Sequence, residues 1–461
     1  MWALLAVLCL ALFLDGLDYT MAAVSLPSIG SELGMSTAEL QWIMNGYILG
    51  FGGFLLLGGR TADLLGRRNV FLVALAVFAV ASLLGGLVDD SLLLIVTRFI
   101  KGVAAAFTAP TGLSIITTTF AEGRQRNRAL SIYTVFGASG FSSGLIFGGL
   151  MTGIDWRWTF LFPVPIALVA LIVGIALVPK DRPAASGGYD FLGAVTLTGA
   201  MLMLVYTVVT APEIGWLHVK TLVGFAVAVV LLAVFVVVER KIQYPLVRLG
   251  ILANGALVRA NLSFIALLGS YAAFQFVVTL YFQRSLAWSP LEMALAVLPV
   301  GMLVVLAAPY AGKLIGRYGT PPVIIGGLLS LSLGQLLFLR LDSTPNYILD
   351  ILPTTILVGI GFALTFPSAS VQATAGVADH EQGLAAGLLQ TSGQVGSAIV
   401  LAVTTAIIAS SGSSDPASVE ASADVVLAQF RPGLIFGTVI ALVGLAVTLV
   451  ALLRARSRAT R

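Results

Sequence analysis

Apolar runs of about 20 residues recur along this sequence from end to end, and only short polar loops separate them. A run of that length crosses the hydrocarbon core of a bilayer as one α-helix. Charged residues make up 10% of the chain, whereas a soluble domain carries about 25%. The pattern therefore predicts an all-α polytopic membrane protein, and it leaves no polar stretch long enough for a large soluble domain.

Fourteen of the apolar runs are long enough to be transmembrane helices. Their approximate limits are residues 3–27, 41–61, 70–88, 91–119, 129–153, 159–179, 191–211, 217–238, 260–283, 290–312, 322–340, 347–375, 384–410 and 433–453. An even number of spans places both termini on the same side of the membrane.

The basic residues predict which side that is. Eighteen Lys and Arg residues lie in loops on the side of the termini or in the tail, and five lie on the opposite side. Because Lys and Arg are enriched in cytoplasmic loops, we expect both termini in the cytoplasm of a protein of the cell membrane. This topology accounts for the basic excess, so no nucleic-acid partner is expected.

Two polar loops divide the chain. The flexible linker PKDRPAASGGYD (179–190) follows the sixth span, and an amphipathic surface segment (239–260) follows the eighth. We therefore predict an N-terminal six-helix half at 1–180, a two-helix central insert at 181–258 and a C-terminal six-helix half at 259–461.

A faint internal repeat supports two related halves. Aligning Gly59 of GRTADLLGRR with Gly312 of GKLIGRYGTP also aligns Gly66 with Gly319. Both segments follow the second span of a half. Repeated halves are typical of secondary transporters, which bind their substrates between the halves near the middle of the membrane.

Five segments resemble one known family. They are LDYTMAAVSLP (17–27), GRTADLLGRR (59–68), RFIKGVAAA (98–106), WRWTFLFPVP (156–165) and GLAAGLLQTSGQVGSAI (383–399). Together they resemble the fourteen-span drug:proton antiporters of the major facilitator superfamily, a group that includes quaternary-ammonium and multidrug exporters. The resemblance runs nearly end to end and implies two six-helix halves with two extra central helices.

The loop after the second span resembles the superfamily's gating loop. The resemblance identifies Gly59, Asp63, Gly66, Arg67 and Arg68 as its functional residues. Ion pairs and helix-dipole contacts there can hold the two halves together on the cytoplasmic side. The alternative is that the arginines only set the topology, which explains neither Asp63 nor the glycines.

The fifth span carries the glycines of the antiporter signature, Gly140, Gly144, Gly148 and Gly149. Small residues four apart let a neighbouring helix approach closely. The resemblance implies that this neighbour belongs to the other half, near residues 383–399. The segment GFSSG (140–144) also matches a hydrolase pattern, but that pattern requires a strand–turn–helix elbow and a partner histidine, so no enzyme activity is expected.

Four positions depart from the family pattern. Lys101 stands where the fourth-span signature has glutamine, and Leu145 replaces the proline that normally follows Gly144. Pro163 replaces an asparagine, and Gly316 replaces the acid of the second-half loop. The missing proline keeps open the alternative of a proton-coupled uptake symporter.

Asp15 and Asp18 are the only acidic residues deep within a predicted span, and Arg98 and Lys101 lie at similar depth in the fourth span. Each pair has the i, i+3 spacing of one helix face. Counting from the outer ends, the depths predict an Asp18–Arg98 pair and an Asp15–Lys101 pair. Charged groups inside a membrane usually mark ion pathways or pair with each other. We expect proton-carrying carboxylates, with static salt bridges as the alternative.

A substrate pocket is expected to have apolar walls and a few polar groups. The candidates are Asn45, Tyr47, Tyr133, Phe136, Phe274, Gln275, Phe362, Phe366, Gln390 and Gln394. The sequence thus favours a monomeric, cofactor-free exporter of amphipathic small molecules, driven by the proton gradient across the lipid bilayer. Export of an endogenous metabolite or lipid is a second hypothesis, and a membrane receptor that does not transport is a third.

Overall fold

A computed structural model describes residues 1–120, 124–180, 190–243, 245, 247, 249–340, 345–377, 382–411 and 423–459. Within these ranges the regular elements are helices. They are α1 (Trp2–Leu33), α2 (Thr37–Leu65), α3 (Arg67–Gly85), α4 (Ser91–Thr119), α5 (Arg124–Ile154), α6 (Trp158–Leu161), α7 (Pro163–Leu177), α8 (Phe191–Ile214), α9 (Val219–Lys241), α10 (Gly255–Leu280), α11 (Pro290–Tyr318), α12 (Thr320–Phe338), α13 (Leu352–Thr374), α14 (Gln382–Ser411) and α15 (Ala423–Ala459). A short 3₁₀ segment precedes α10, and π-helical turns follow α10 and precede α13.

In the described part of the chain, thirteen helical segments are long and apolar enough to cross a membrane. The short α6 and the following α7 together form one of them, Trp158–Leu177. The remaining predicted span, 41–61, lies in α2, where several side chains fall outside the described set. The all-α class is confirmed, and the count of fourteen spans stays a prediction.

Several helices extend beyond their predicted limits. The helix α1 passes through Pro27 and ends at Leu33, before Gly34, whose φ of 64° suits glycine. The helix α2 continues to Leu65, so Asp63 lies in its last turn rather than beyond its end. By contrast, α4 spans the predicted residues 91–119.

The described residues form two compact units. The first consists of Met1–Leu204 with Leu222–Arg248, and the second of Val205–Thr221 with Leu249–Arg461. In the first unit, α1 packs on α5, α2 on α4, and α3 on α4 and α7. In the second, α10 packs on α14, α11 on α13, and α12 on α13 and α15. The same pairings recur in the same chain order in both units.

The two glycines that the repeat aligns, Gly66 and Gly319, each form the turn between two helices. Gly66 separates α2 from α3 with a φ of 92°, and Gly319 separates α11 from α12 with a φ of 77°. Side chains with a Cβ rarely adopt such angles. A one-residue turn between two helices therefore requires glycine at both positions.

The glycines of α5 face α1 of the same unit. A Cβ on Gly144 would lie 2.5 Å from the Leu17 carbonyl oxygen, and one on Gly148 would lie 2.9 Å from the Met21 Cα. Gly140 meets the Phe13 carbonyl in the same way. These glycines thus contact α1. The expected contact with the segment 383–399 of the other half stays a prediction. Gly149 is buried beside them.

The segment 383–399 repeats this arrangement within its own unit. A Cβ on Gly393 of α14 would lie 2.7 Å from the Phe264 Cε1, and one on Gly396 would lie 2.9 Å from the Ile265 Cγ1. Both contacts are to α10, the repeat counterpart of α1. The fifth helix of each unit therefore presents glycine to the first.

We expect Gly144→Ala to destabilise the protein by about 1–3 kcal/mol, because an added methyl group has no room against the α1 backbone. The matched control is Gly153→Ala in the last turn of α5, where nothing lies within 4 Å of the new Cβ. Thermal unfolding of the two purified variants in detergent measures the difference. Equal melting temperatures would show that α1 and α5 do not depend on this contact.

Candidate functional site

One buried carboxylate is shared by two cations in the first unit. Arg98 Nη1 donates to Asp18 Oδ2, and Lys101 Nζ donates to Asp18 Oδ1. The side chain of Asp18 is 1% exposed and those of Arg98 and Lys101 are 0% exposed. We call these three residues the ion triad. It joins α1 to α4 and confirms the predicted contact between Asp18 and Arg98.

The predicted pair of Asp15 with Lys101 is wrong. Thr108 Oγ1 donates to Asp15 Oδ2 over 3.3 Å, and Lys101 instead contacts Asp18. The physical reason is reach. A lysine side chain is about as long as one helical turn, ~5.4 Å, so depth along the helix does not decide between two carboxylates one turn apart.

The helix α2 fixes Arg98 from its other side. Arg98 Nε donates to the Ile43 carbonyl oxygen over 3.1 Å, and its guanidinium lies 4.7 Å from the centre of the Tyr47 ring. Glycine makes this approach possible, since a Cβ on Gly102 would lie 2.9 Å from the Tyr47 carbonyl carbon. The Tyr47 hydroxyl donates to the Asp15 backbone oxygen over 3.3 Å.

Two aromatic rings border the ammonium group of Lys101. Its Nζ lies 4.9 Å from the centre of the Phe78 ring of α3 and 5.3 Å from that of Phe160 in α6. Ser82 of α3 donates to the Phe160 carbonyl oxygen over 2.9 Å, which holds α6 in place. Sequence reasoning missed both rings. Phe160 belongs to the WRWTFLFPVP segment, whereas Phe78 carries no signal beyond its apolar run.

A second polar cluster lies at the predicted outer side. Arg157 donates to Glu32 at the end of α1 over 2.6 Å and also pairs with Asp89, just before α4. Trp156 Nε1 donates to Glu32 over 2.9 Å. The hydrogen bonds that Arg157 donates to Asp89 and Glu32 raise the pKa of its guanidinium. The WRW segment, which follows α5, therefore joins the end of α1 to the start of α4.

Part of the expected gating loop makes contacts within its own unit. Arg68 Nη2 donates over 2.6 Å to the carbonyl oxygen of Ile175, in the last turn of α7. A cation is favourable at a helix C-terminus. Arg67 is half-buried at the start of α3, and the Asp63 side chain lies outside the described residues. The role of this loop in holding the two halves together stays a prediction.

At the end of α2, Gly58 lies closer to α4 than Gly59 does. A Cβ on Gly58 would lie 3.0 Å from the Ala106 carbonyl carbon, whereas one on Gly59 would keep an ordinary 3.8 Å from Pro110. Together with Gly46 and Gly50, which also face α4, Gly58 lets α2 pack tightly against α4.

The substrate candidates of the first unit have different surroundings. Asn45 is buried in α2, and Tyr47 contacts Arg98. The Tyr133 hydroxyl donates to the Ala109 carbonyl oxygen over 3.0 Å, next to Thr108. Phe136 is 43% exposed.

The candidates of the second unit also differ in their surroundings. Phe274 is buried against Phe338, with ring centres 5.2 Å apart, as in a core residue. Gln275 accepts a hydrogen bond from the Tyr271 hydroxyl over 3.3 Å. The half-buried rings of Phe362 and Phe366 stack 5.6 Å apart on α13. Gln390 and Gln394 are half-buried on α14.

The ion triad predicts unequal effects of two substitutions. Asp18→Asn leaves two buried cations without their counter-charge, and we expect a loss of about 3–5 kcal/mol. Lys101→Gln leaves the Asp18–Arg98 pair intact, so the loss is expected to be smaller. Thermal unfolding of both variants in the same detergent measures the order. A Lys101→Gln protein that is less stable than Asp18→Asn would contradict the shared carboxylate.

Comparisons with known proteins agree with this architecture. The chain is 37% identical to the puromycin resistance protein of Streptomyces alboniger over 91% of this chain and 85% of that protein. It is 34% identical to the cephamycin export protein of Amycolatopsis lactamdurans over 90% of this chain and 86% of that protein. It is 32% identical to the tetracenomycin C resistance and export protein of Streptomyces glaucescens over 89% and 76%, respectively.

Solved structures share the fold at low sequence identity. A peptide transporter in complex with sulfate superposes with a TM-score of 0.69 at 16% identity, covering 98% of this chain and 94% of that chain. A nucleoside transporter gives 0.68 at 14% identity, covering 96% and 99%. The Major Facilitator Superfamily model matches residues 8–401 and, in a second match, residues 259–461. The chain belongs to the Major Facilitator Superfamily.

Proposed function

We propose that this protein exports amphipathic small molecules such as antibiotics in exchange for protons, by alternating access between its two halves. Relatives that match most of the chain are named for antibiotic resistance or antibiotic export, which supports this substrate class. The observation that carries the proton coupling is the ion triad, because titratable charges inside a membrane usually mark ion pathways.

The position of the ion triad links protonation to helix packing. It joins α1 to α4 directly, and Arg98 extends the connection to α2 through the Ile43 carbonyl. A change in the charge of any member changes the electrostatic attraction between these helices. Asp15 lies one turn away on α1 and is half-buried, so it belongs to the same coupling region.

The proton gradient supplies enough free energy for such a cycle. Each charge that crosses the membrane gains about 2.3 kcal/mol per 100 mV. Each pH unit adds about 1.4 kcal/mol. One proton moving inward can therefore support a concentration ratio of more than about tenfold for an exported neutral molecule.

The substrate candidates suit amphipathic ligands by their chemistry. The stacked rings of Phe362 and Phe366 are half-buried, and Gln390 and Gln394 provide amide groups on α14. In the first unit, Tyr47 and Tyr133 place hydroxyl groups near Asp15 and Thr108. Apolar and aromatic walls with a few polar groups are typical of small-molecule sites.

The finer topology belongs to the same proposal. It has fourteen spans in the arrangement of six, two and six, with α8 and α9 as the central pair. Both termini lie in the cytoplasm, the membrane is the cell membrane, and the monomer is the working unit. The split of eighteen to five basic residues supports this orientation. Export of an endogenous metabolite uses the same machinery.

One observation favours a second direction of transport. Leu145, which stands where the antiporter signature has proline, is buried in α5. In a symporter, substrate and proton would move the same way. The names of the relatives favour export, so symport is the second candidate.

Transport into inside-out vesicles tests the proposal. With an acidic lumen, we expect puromycin or tetracenomycin C to accumulate inside, and a protonophore to abolish the accumulation. The matched variant is Lys220→Gln, a change of an exposed lysine in the first turn of α9 that is expected to transport like the parent. Accumulation that persists without any gradient would contradict proton coupling. Accumulation driven only by an alkaline lumen would identify a symporter.

A further inference from the structure

We propose that the exchanged proton is carried by Lys101, while Asp18 stays ionised throughout the transport cycle. This inference rests on the proposed proton-coupled export and assigns the proton to one atom, Lys101 Nζ. It departs from the expectation of a carboxylate carrier and follows from the contacts of the ion triad.

Both carboxylate oxygens of Asp18 accept a hydrogen bond from a cation, Oδ2 from Arg98 and Oδ1 from Lys101. Protonating Asp18 in this arrangement would cancel the negative charge that lies between two buried positive charges. Uncompensated buried charges are strongly destabilising. Asp18 is therefore the member of the triad that is least able to accept a proton.

The charge balance points to Lys101 instead. With all three groups ionised, the ion triad carries a net charge of +1, and all three side chains are 1% exposed or less. Loss of one proton from Lys101 leaves a neutral Asp18–Arg98 pair. The resulting amine keeps two N–H groups, so it can still donate a hydrogen bond to Asp18 Oδ1.

The surroundings of Lys101 stabilise both protonation states. The rings of Phe78 and Phe160 lie 4.9 and 5.3 Å from Nζ, a distance at which an aromatic ring attracts a cation. Aromatic rings also pack well around a neutral amine. Arginine cannot take this role, because its guanidinium is always charged in proteins.

Titratable and charged groups of three helices face this site among the described residues. From α1 they are Asp15, Asp18 and Tyr19, from α2 Tyr47, and from α4 Arg98. The described contacts of Lys101 with α3 and α6 are aromatic rings. Asp15 is the competing proton site, since its described side-chain partner is the Thr108 hydroxyl rather than a cation.

The proton balance of the step is simple. Substrate binding breaks one N–H bond of the Lys101 ammonium, whose electron pair stays on nitrogen while the proton passes to water on the cytoplasmic side. After the substrate has left to the outside, the amine takes a proton from the outer water. One proton thus enters for each substrate molecule exported.

The test is substrate-induced proton release from purified protein in detergent, with puromycin as the probe. Lys101→Arg keeps the positive charge but cannot lose its proton. We expect it to bind puromycin and to release at least tenfold fewer protons than the parent. Lys101→Gln, which restores the residue of the family signature, is expected to show the same loss without a large change in stability. Lys220→Arg is the control and should behave like the parent.

Each outcome decides between sites. If Lys101→Arg releases as many protons as the parent, the assignment to Lys101 is wrong. If Lys101→Arg does not bind puromycin, the same conclusion follows from parent-like proton release by Lys101→Gln. If Asp15→Asn loses proton release while Lys101→Gln keeps it, Asp15 is the proton carrier instead of Lys101. A parent protein that binds puromycin and releases no protons would overturn the proposed proton coupling itself.

Discussion

The first unit is organised around a carboxylate that two cations share inside the membrane. Asp18 lies on α1, and both of its cationic partners lie one turn apart on α4. Arg98 extends the network to α2 through a backbone carbonyl, and Lys101 extends it to α3 and α6 through two aromatic rings. Buried charges are tolerated only with such compensation, so the packing of five helices and the charge of one site depend on each other.

Glycine provides the closeness that this network requires. Gly46, Gly50 and Gly58 bring α2 against α4, and the glycines of α5 bring that helix against α1. Larger residues would force these helices apart, because a Cβ on Gly50 would lie only 2.9 Å from the Val103 backbone nitrogen of α4.

The two units share a packing scheme but differ in chemistry. The α1–α5 pair is repeated by α10–α14, and the α2–α4 pair by α11–α13. Where the first unit has buried charges on α1 and α4, the second has aromatic pairs between α10 and α13, namely Phe264 with Phe366 and Tyr271 with Phe362. The two units therefore share their helix packing and differ in the side chains that fill it.

The sequence predicted correctly those features that depend on a special backbone conformation or on a long run of apolar residues. Residues 91–119 were bounded correctly by their apolar run, and the alignment of Gly66 with Gly319 reflects a turn that only glycine adopts easily. It also identified the family. It failed where the outcome depends on side-chain reach, as in the choice of Lys101 between two carboxylates one turn apart.

The most direct test is to observe the nitrogen of Lys101. The chain has only five lysines, so nuclear magnetic resonance of ¹⁵N-lysine-labelled protein gives few side-chain signals, and Lys101→Gln identifies the one that belongs to residue 101. In protein without puromycin, we predict that the Lys101 nitrogen is an ammonium. At saturating puromycin, we predict that it is a neutral amine. A Lys101 nitrogen that remains an ammonium in both states would contradict the account.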